Sequence, residues 1–281
     1  MSARLEGTRH RYELSNTERA ALTSELRPDL GEPASGMRAV AVSGDDPRSD
    51  LAREVERSVL HETFGEILPH TSEVMFDEYG DYEAASTFFI AVAEQDLSVV
   101  GVLRVIRGPK NKSASDLRGT SSEADDWLRQ HCNPTERTDD IGTATVAQVV
   151  PSSVDRSSVG PTLYRALYKD AIDSGVVRWT TVVDSNVLPI FDHIGVPFKR
   201  IPGVPELDYL GSTAVACFAE IEEIEPSAIA RRRLVDPYTQ KAIGAMLYGS
   251  DSLPETGPAL KPVIDLRNND PHPKDQTLSS S

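Results

Sequence analysis

The order of apolar and polar positions divides the chain into a lead-in, a long patterned region and a polar tail. Residues 50–64 repeat apolar side chains at helical spacing with charged residues between them, which predicts an amphipathic helix. The period then becomes strand-like. Residues 87–93 and 98–106 are two apolar runs separated by a short polar turn, and this pattern predicts a β-hairpin.

Further along the patterned region, strands alternate with helices. Residues 141–150 predict an apolar strand, residues 159–174 a helix, and residues 177–183 another strand, which is the order of a βαβ unit. A short helix, a strand pair and a C-terminal helical segment are predicted at residues 186–194, 207–210, 213–221 and 226–248. The sequence therefore predicts an α/β (α+β) fold in which helices flank a central mixed twisted sheet.

The two ends of the chain are more polar than its middle. Residues 1–49 predict a weakly ordered lead-in with one short helix that ends at Leu26, and the Gly, Pro, Ser and Asp content of residues 29–49 indicates a linker. The Pro-, Asp- and Ser-rich residues 249–281 predict a disordered tail. We therefore expect one folded domain at residues 50–248.

Composition narrows the classes of function. The chain has 29 Lys and Arg residues against 44 Asp and Glu residues, and its net charge of −15 disfavours binding to nucleic acid. No stretch approaches the roughly 20 apolar residues that a membrane span needs, and the charged N-terminus lacks the apolar run of a signal peptide. Cys132, Cys217 and the six histidines show no metal-ligand spacing. These features predict a cytoplasmic protein without a membrane segment, a disulfide or a metal site.

A candidate anion site lies where the predicted strand 141–150 leads into the next helix. Free backbone N–H groups at a helix start, together with the helix dipole, suit a pyrophosphate, and nearby guanidinium and hydroxyl groups would add donors. The residues of this candidate site are Val149, Val150, Arg156, Ser157, Ser158, Val159 and Gly160. The same residues also fit a plain strand-to-helix turn that needs one glycine.

Arg104 is a charged residue within an otherwise apolar strand. An unpaired guanidinium group would be costly there, so a carboxylate partner is expected. The richest nearby supply is the acidic run at residues 77–83. The pair would either pin the N-terminal segment to the sheet or belong to a functional site, and it could do both.

The loop and the strand that follows it resemble the GNAT superfamily of acyltransferases. Arg156-Ser-Ser-Val-Gly160-Pro-Thr-Leu163 is similar to the acyl-CoA loop of that superfamily, although Asp155 stands where Gln or Arg is usual. Thr180-Thr-Val-Val-Asp184 followed by Asn186 is similar to its second half, and Phe191 stands where many members have a general-acid Tyr. The resemblance implies a GNAT-like fold, adds Asn186 to the donor site, and implies acyl-CoA or acyl-phosphopantetheine as a co-substrate with no permanently bound cofactor.

The upstream half resembles one branch of that superfamily, the acyl-homoserine-lactone synthases and N-acyl amino acid synthases. The resemblance is carried by Phe76-Asp-Glu-Tyr-Gly-Asp-Tyr82 and by Gly101-Val-Leu-Arg104. In that branch, acidic residues hold the acceptor amine and an Arg braces them. The resemblance therefore implies these roles for Asp77, Asp81 and Arg104.

Together these features predict an N-acyltransferase that moves an acyl group from a thioester donor to the amine of a small molecule. The amine has to lose a proton, and a carboxylate can accept it. The candidate bases are Asp77, Asp81, Asp140 and Asp184. Asp184 fits the cap of the following helix equally well.

The nature of the donor depends on local positive charge. A stretch without acidic residues contains Arg104, Arg107, Lys110 and Lys112, and it would bind either the phosphates of coenzyme A or an acidic acyl carrier protein. The same stretch also fits a solvated loop. The alternative to an enzyme is a non-catalytic module that keeps the GNAT fold and binds a ligand or acts as a scaffold.

Overall fold

In a computed structural model of the protein, the described residues are 13–27, 31, 36–64, 71–107, 121–133, 136–142, 144–193, 195–209, 212–231, 234 and 237–248. Some side chains within these ranges, including those of Asp77 and Asp81, lie outside the described part. Lys110 and Lys112 and the predicted tail at residues 249–281 also lie outside it.

The described part contains nine strands and eight α-helices. The strands are β1 (Met37–Ser43), β2 (Ser86–Ala93), β3 (Val99–Ile106), β4 (Arg137–Ile141), β5 (Thr145–Val146), β6 (Val176–Asp184), β7 (Lys199–Arg200), β8 (Leu207–Tyr209) and β9 (Ser212–Glu220). The helices are α1 (Asn16–Leu26), α2 (Asp50–Phe64), α3 (Thr71–Tyr79), α4 (Ser121–His131), α5 (Val159–Asp173), α6 (Leu188–His193), α7 (Ile221–Arg231) and α8 (Pro237–Tyr248). Short 3-10 helices lie at Pro47–Ser49, Gly80–Ala85 and Arg156–Ser158. None of the described helices is both long enough and apolar enough to cross a bilayer.

All nine strands form one open sheet. Its main order is β1-β2-β3-β4-β6-β9-β7, with β5 beside β3 and β8 beside β9. The β4–β6 pair is parallel and the remaining pairs are antiparallel. The predicted mixed sheet flanked by helices is therefore confirmed.

Apolar cores cover both faces of the sheet. On the first face, residues of α1 and α2, such as Leu26 and Leu51, pack against Phe88 and Ile90 of β2. On the second face, Leu163 and the rest of the apolar stripe of α5 pack against β2, β3 and β6. Because paired residues share a face, the first face also carries Arg104 of β3, Asp140 of β4 and Thr180 of β6. These three polar residues are described in the next subsection.

The structure corrects three of the predicted segments. The expected linker at residues 29–49 contains β1, which pairs with β2 along its whole length, so the folded part begins before residue 50. The predicted strand 141–150 is instead two short strands with a break between them. The helical segment expected from Pro226 begins earlier, at Ile221, and Pro226 lies within α7.

Two glycines permit close approaches that position the candidate site. A Cβ atom at Gly101 would lie 2.4 Å from the Val159 side chain, so the absence of a side chain lets the start of α5 pack onto β3. A Cβ atom at Gly44 would lie 1.8 Å from the backbone oxygen of Glu83. Gly44 therefore allows the 3-10 helix that carries Glu83 to lie against the turn after β1.

Candidate active site

Arg104 lies at the centre of a buried ion network on the first face of the sheet. Its side chain is 4% exposed, and its Nη2 atom lies 2.7 Å from Oε2 of Glu56 in α2. Its Nη1 atom donates to Oε1 of Glu83 at 3.2 Å. The guanidinium carbon lies 4.0 Å from the ring centroid of Tyr79 and 4.5 Å from that of Phe88. Two carboxylates and two aromatic faces thus surround one cation.

A second buried arginine shares Glu83 with Arg104. Arg53 of α2 is 1% exposed, and it donates through Nε to Oε2 of Glu83 at 2.8 Å and through Nη2 to the backbone oxygen of Gly44 at 2.7 Å. Burial alone would raise the pKa of Glu83, but Arg104 and Arg53 outweigh that effect and lower it. Glu83 therefore stays ionised and joins α2, β3 and the 3-10 helix.

The expected carboxylate partner of Arg104 is present within the run 77–83, at Glu83, and Glu56 is a second partner that the sequence did not indicate. The roles implied for Asp77 and Asp81 concern side chains outside the described part and stay predictions. Because Arg104 is buried against α2, it is not accessible to a carrier protein, and its place in the predicted docking patch is a correction.

Asp140 and Thr180 lie opposite each other as the last pair of β4 and β6. They share a face with Arg104, because Asp140 also pairs with Ile106, two residues after Arg104. Thr180 is 3% exposed, and its hydroxyl oxygen has no hydrogen-bond partner in the described part of the chain. A half-buried carboxylate and a buried hydroxyl without a described hydrogen-bond partner therefore adjoin at this point of the sheet.

The sheet opens directly beyond this pair. β4 and β6 pair only from Arg137 to Asp140. Within the described residues, Thr181–Asp184 pair with β9 alone. The segment 144–150 stays attached to β3 through β5 and through the Ala147 N–H, which donates to the backbone oxygen of Val100 at 2.9 Å. We call the space between residues 144–150 and 181–184 the strand opening.

A β-bulge marks the start of the strand opening. Ile141 pairs with Val105 and Thr145 pairs with Val102. Between these two pairs the chain advances four residues from β4 to β5 but only three along β3. An extra residue of this kind bends its strand and redirects backbone groups, and such bulges are frequent beside active sites. The Gly142 N–H still donates to the backbone oxygen of Arg104 at 2.8 Å.

Tyr164 of α5 lies beside the start of the strand opening, near the Ala144 backbone. The Tyr164 ring packs against apolar clusters on both sides of the strand opening. It also lies edge-on to Phe191 of α6, with centroids 6.3 Å apart. Burial raises the pKa of Tyr164 to about 12, although the nearby Ala144 backbone lowers it, so the phenol stays protonated at neutral pH.

The predicted donor loop already contains a negative charge of its own. Asp155 accepts hydrogen bonds from the Ser157 backbone N–H at 3.0 Å, from the Ser157 hydroxyl at 2.8 Å and from the Ser158 hydroxyl at 3.2 Å. The hydrogen bonds from Ser157, assisted by that from Ser158, lower the pKa of Asp155. Arg156 donates to the backbone oxygens of Ala147 and Gln148 at 2.9 and 3.1 Å. The three side chains expected to be free phosphate donors are thus bonded within the chain.

The other predicted donor-site residues differ in their surroundings. Val149 is 82% exposed, Val150 packs against the core, and Val159 is buried where α5 meets Gly101. A Cβ atom at Gly160 would have no neighbour within 4 Å. These residues lie along the strand opening and the start of α5, as a donor site would require.

Asp184 and Asn186 form the turn after β6. Asp184 Oδ1 accepts a hydrogen bond from the Asn186 backbone N–H at 2.8 Å, and the Asn186 side chain is exposed. This is an Asx turn that precedes α6, which begins at Leu188, and not the helix cap that the sequence left open for Asp184. The carboxylate of Asp140 lies nearer to Arg104 along the sheet, since Asp184 is four residues beyond the Asp140–Thr180 pair.

Arg107 belongs to a separate group on the second face. Its Nη2 atom donates to Asp170 of α5, and its Nε atom lies 3.9 Å from Oδ2 of Asp139. Burial raises the pKa of Asp139, although Arg137 and Arg107 lower it. Arg107 thus already has carboxylate partners within the chain.

No protein-family model and no curated protein matches this chain. Its structure is similar to that of FeeM, an N-acyl amino acid synthase from uncultured soil microbes, with 12% identity, coverage of 70% of this chain and 97% of that chain, and a TM-score of 0.44. It is also similar to the structure of the AHL synthase LasI, with 16% identity, coverage of 63% of this chain and 76% of LasI, and a TM-score of 0.40. A third similar structure is that of BjaI, a CoA-dependent acyl-homoserine lactone synthase. Its identity to this chain is 17%, the similarity covers 69% of this chain and 87% of BjaI, and the TM-score is 0.45.

The solved structures are of the same kinds of synthase that the sequence motifs resemble. With identities of 12–17%, function has to be inferred from the side chains of this chain itself. Within its described residues, no group of three or more His, Cys, Asp or Glu side chains is arranged to hold a metal ion.

Proposed function

We propose that the protein is an N-acyltransferase that moves an acyl group from a thioester to the amine of a small molecule. The observation that carries the proposal is the strand opening between residues 144–150 and Thr181–Asp184, next to the Asp140–Thr180 pair. An opening inside a sheet offers backbone N–H and C=O groups on both sides. An extended arm that contains amide groups, such as pantetheine, can bind there as an added strand would.

The acceptor is proposed to approach from the first face of the sheet. That face carries the Asp140 carboxylate and the Thr180 hydroxyl beside the strand opening, with the Arg104 network next to them. An amine nucleophile needs a base, and a carboxylate can take its proton directly or through water. Asp140 is the candidate base that this geometry favours, because it adjoins the strand opening and shares a face with Arg104. Asp77 and Asp81 stay candidates for holding the amine.

The donor is proposed to be an acyl-phosphopantetheine on a carrier protein rather than acyl-CoA. The two share the pantetheine arm, but coenzyme A also brings a diphosphate that would have to lie at the start of α5. Asp155 already places an exposed negative charge there, and it occupies the Ser157 and Ser158 donors. The Asp155 carboxylate and a diphosphate bound at the start of α5 would both be negative and would repel each other, so the loop disfavours the diphosphate. The docking residues proposed for the carrier protein are reduced to Arg107, Lys110 and Lys112.

A non-catalytic binding module is the second candidate. The observation that favours it is again the loop before α5, in which Arg156 and Ser157 are bonded within the chain and not free to bind a phosphate. A loop that binds no diphosphate also fits a protein that has no thioester donor at all. The two candidates differ in whether any thioester binds in the strand opening.

The test has a binding stage and a transfer stage. The intact protein is titrated by calorimetry with acyl-CoA, S-acyl pantetheine and acylated carrier proteins, and then supplied with a panel of amines. We expect binding of the pantetheine-borne donors and release of free thiol with an amine present. Asp140→Asn should lower the transfer rate about 100-fold while donor binding stays unchanged, because only the base is removed. Asp184→Asn, its matched control, should have little effect. If no thioester binds, the acyltransferase proposal is wrong and the binding module is favoured.

A further inference from the structure

Three buried polar atoms on the second face of the sheet have no hydrogen-bond partner within the described ranges. They are Nε of Arg107, Oδ2 of Asp139 and Nε1 of Trp179. Asp139 is 1% exposed and Trp179 is 2% exposed, so bulk solvent does not reach either side chain. Folded proteins rarely leave such atoms unpaired, and three of them together therefore point to a bound partner.

The three atoms belong to one row of side chains across the strands. Asp140 pairs with Ile106, the last residue of β3. The next residues along this antiparallel register, Asp139 and Arg107, are therefore opposite each other. On the other side of β4, Asp139 pairs with Trp179 of β6. Because paired residues share a face, the guanidinium, carboxylate and indole groups are neighbours.

The spacing within this row suits one small bridging molecule. Nε of Arg107 and Oδ2 of Asp139 are 3.9 Å apart, which is too far for a direct hydrogen bond, whereas a molecule at about 2.9 Å from each fits. Other bonds hold both side chains in place. Arg107 donates through Nη2 to Asp170 of α5 and through its backbone N–H to the Ala85 oxygen at 2.8 Å. Oδ1 of Asp139 accepts from Nε of Arg137 at 3.2 Å.

The charges and donors of the row define the chemistry of that molecule. Two guanidinium groups, those of Arg107 and Arg137, lie beside the two carboxylates of Asp139 and Asp170, so the group is balanced and favours a neutral molecule. Arg107 and Trp179 offer N–H donors, and Asp139 offers an oxygen acceptor. The bound molecule therefore has to accept hydrogen bonds and donate one as well.

Apolar packing limits its size. Trp179 belongs to the same core cluster as Leu167 and Ala171 of α5, both of which are buried, and its ring lies edge-on to Tyr168 with centroids 6.2 Å apart. A molecule with a carbon skeleton would displace part of this core. A water molecule is small enough and commonly makes about three hydrogen bonds to buried polar groups.

We propose that Arg107, Asp139 and Trp179 bind one structural water molecule. It accepts hydrogen bonds from the two N–H groups and donates one to the carboxylate. The site lies at the closed end of the split sheet, since β4 and β6 pair as far as Asp140 and part beyond it. The water thus joins β4 and β6 to the end of β3 below the strand opening. It belongs to the frame of the sheet and would be present whether or not the protein transfers acyl groups.

The test detects the water from the Trp179 indole in the intact protein. Labelling with ¹⁵N-tryptophan gives two indole N–H signals, because the chain has two tryptophans, and Trp127→Phe assigns them. A long-lived bound water gives NOE and ROE cross-peaks of opposite sign, whereas hydrogen exchange gives the same sign in both. We expect opposite signs for Trp179. A crystal structure of the wild type should show one water within about 3.2 Å of all three atoms.

Two substitutions of similar volume at Asp139 provide a matched pair. Asp139→Asn keeps an oxygen acceptor, so the cross-peaks of the Trp179 indole should persist. Asp139→Leu removes the acceptor, and the cross-peaks should be lost while the indole signal shifts. Circular dichroism verifies that both variants fold, and the wild-type spectra and crystal structure test the site even if Asp139→Leu does not.

Three results would overturn the proposal. The first is a wild-type indole of Trp179 without the water cross-peaks. The second is a crystal structure in which Arg107 Nε or Trp179 Nε1 donates directly to Asp139. The third is a folded Asp139→Leu variant that keeps the cross-peaks, because the water would then be bound by other groups.

Discussion

Replacing Arg104 with Met tests how strongly the buried ion network holds α2 on the sheet. The variant leaves Glu56 and Glu83, whose side chains are 13% and 12% exposed, without the cation that lies 2.7 and 3.2 Å from them. Removing one partner of a buried ion pair costs about 3–5 kcal/mol, because the other charge stays buried. Met retains most of the apolar stem, so the loss reflects charge more than a cavity. Since Arg53 still pairs with Glu83, we expect the lower part of that range.

The loss should depend on pH in a defined direction. Arg104 and Arg53 hold the pKa of Glu83 below its usual value, so in the wild type this group contributes stability above its ordinary pKa and loses it as the pH falls. In the variant the burial effect remains but the main compensating cation is gone, so the pKa of Glu83 rises. Protonation then relieves the buried charge. The difference in free energy of unfolding between wild type and variant should therefore shrink from about pH 7 to about pH 4.

The measurement is urea unfolding followed by circular dichroism across that pH range. Arg38→Met is the control, since Arg38 pairs with Glu94 at 3.1 Å but both side chains are more than a third exposed. An exposed pair of this kind contributes about 0–1 kcal/mol. A loss for Arg104→Met no larger than that of the control, or a difference that stays constant with pH, would refute the view that the network is a buried ionic anchor.

Three further predictions concern other parts of the chain. Asp155→Asn should raise the affinity for coenzyme A about five- to tenfold at low salt, because it removes the charge that faces a diphosphate. The affinity for S-acyl pantetheine should stay unchanged. Calorimetry that gives the wild type and the variant the same affinity for coenzyme A would contradict this. Gly44→Ala should lower the free energy of unfolding by about 2 kcal/mol or more, since its Cβ would meet the backbone of Glu83. Gly160→Ala places its Cβ in open space and should be neutral or slightly stabilising in the same urea assay. Ser15→Ala should destabilise by about 1 kcal/mol through loss of the capping box of α1, and an unchanged unfolding midpoint would show that α1 contributes little.

Local pattern was sufficient to predict the elements that have strong periodicity. The amphipathic repeat predicted α2 with its observed bounds, and the apolar runs predicted the β2–β3 hairpin. β1 was missed because Gly, Pro, Ser and Asp surround a run of only seven residues. Its strand conformation comes from pairing with β2, which is a tertiary contact.

For the candidate site, the sequence was informative where a residue conflicted with its surroundings. Arg104 stood out as a charge within an apolar strand. Glu56 did not, because it lies 48 residues earlier on a helix whose charged positions look like an ordinary solvated face. The strand opening depends on how β5 pairs with β3 and on where the pairing of β4 with β6 ends, and neither leaves a signature in the local sequence.

The strand opening also affects how the centre of the sheet exchanges its amide hydrogens with solvent. On the β9 side, β6 is paired from Arg178 to Asp184, while on the β4 side pairing ends at Thr180. Amides of Thr181–Asp184 that face the strand opening therefore lie mid-sheet without the protection of a strand on that side in the described part of the chain. They should exchange through local fluctuations, faster than their neighbours that face β9. A bound thioester arm would slow them, so exchange at these few amides would report donor binding residue by residue before any acceptor is known.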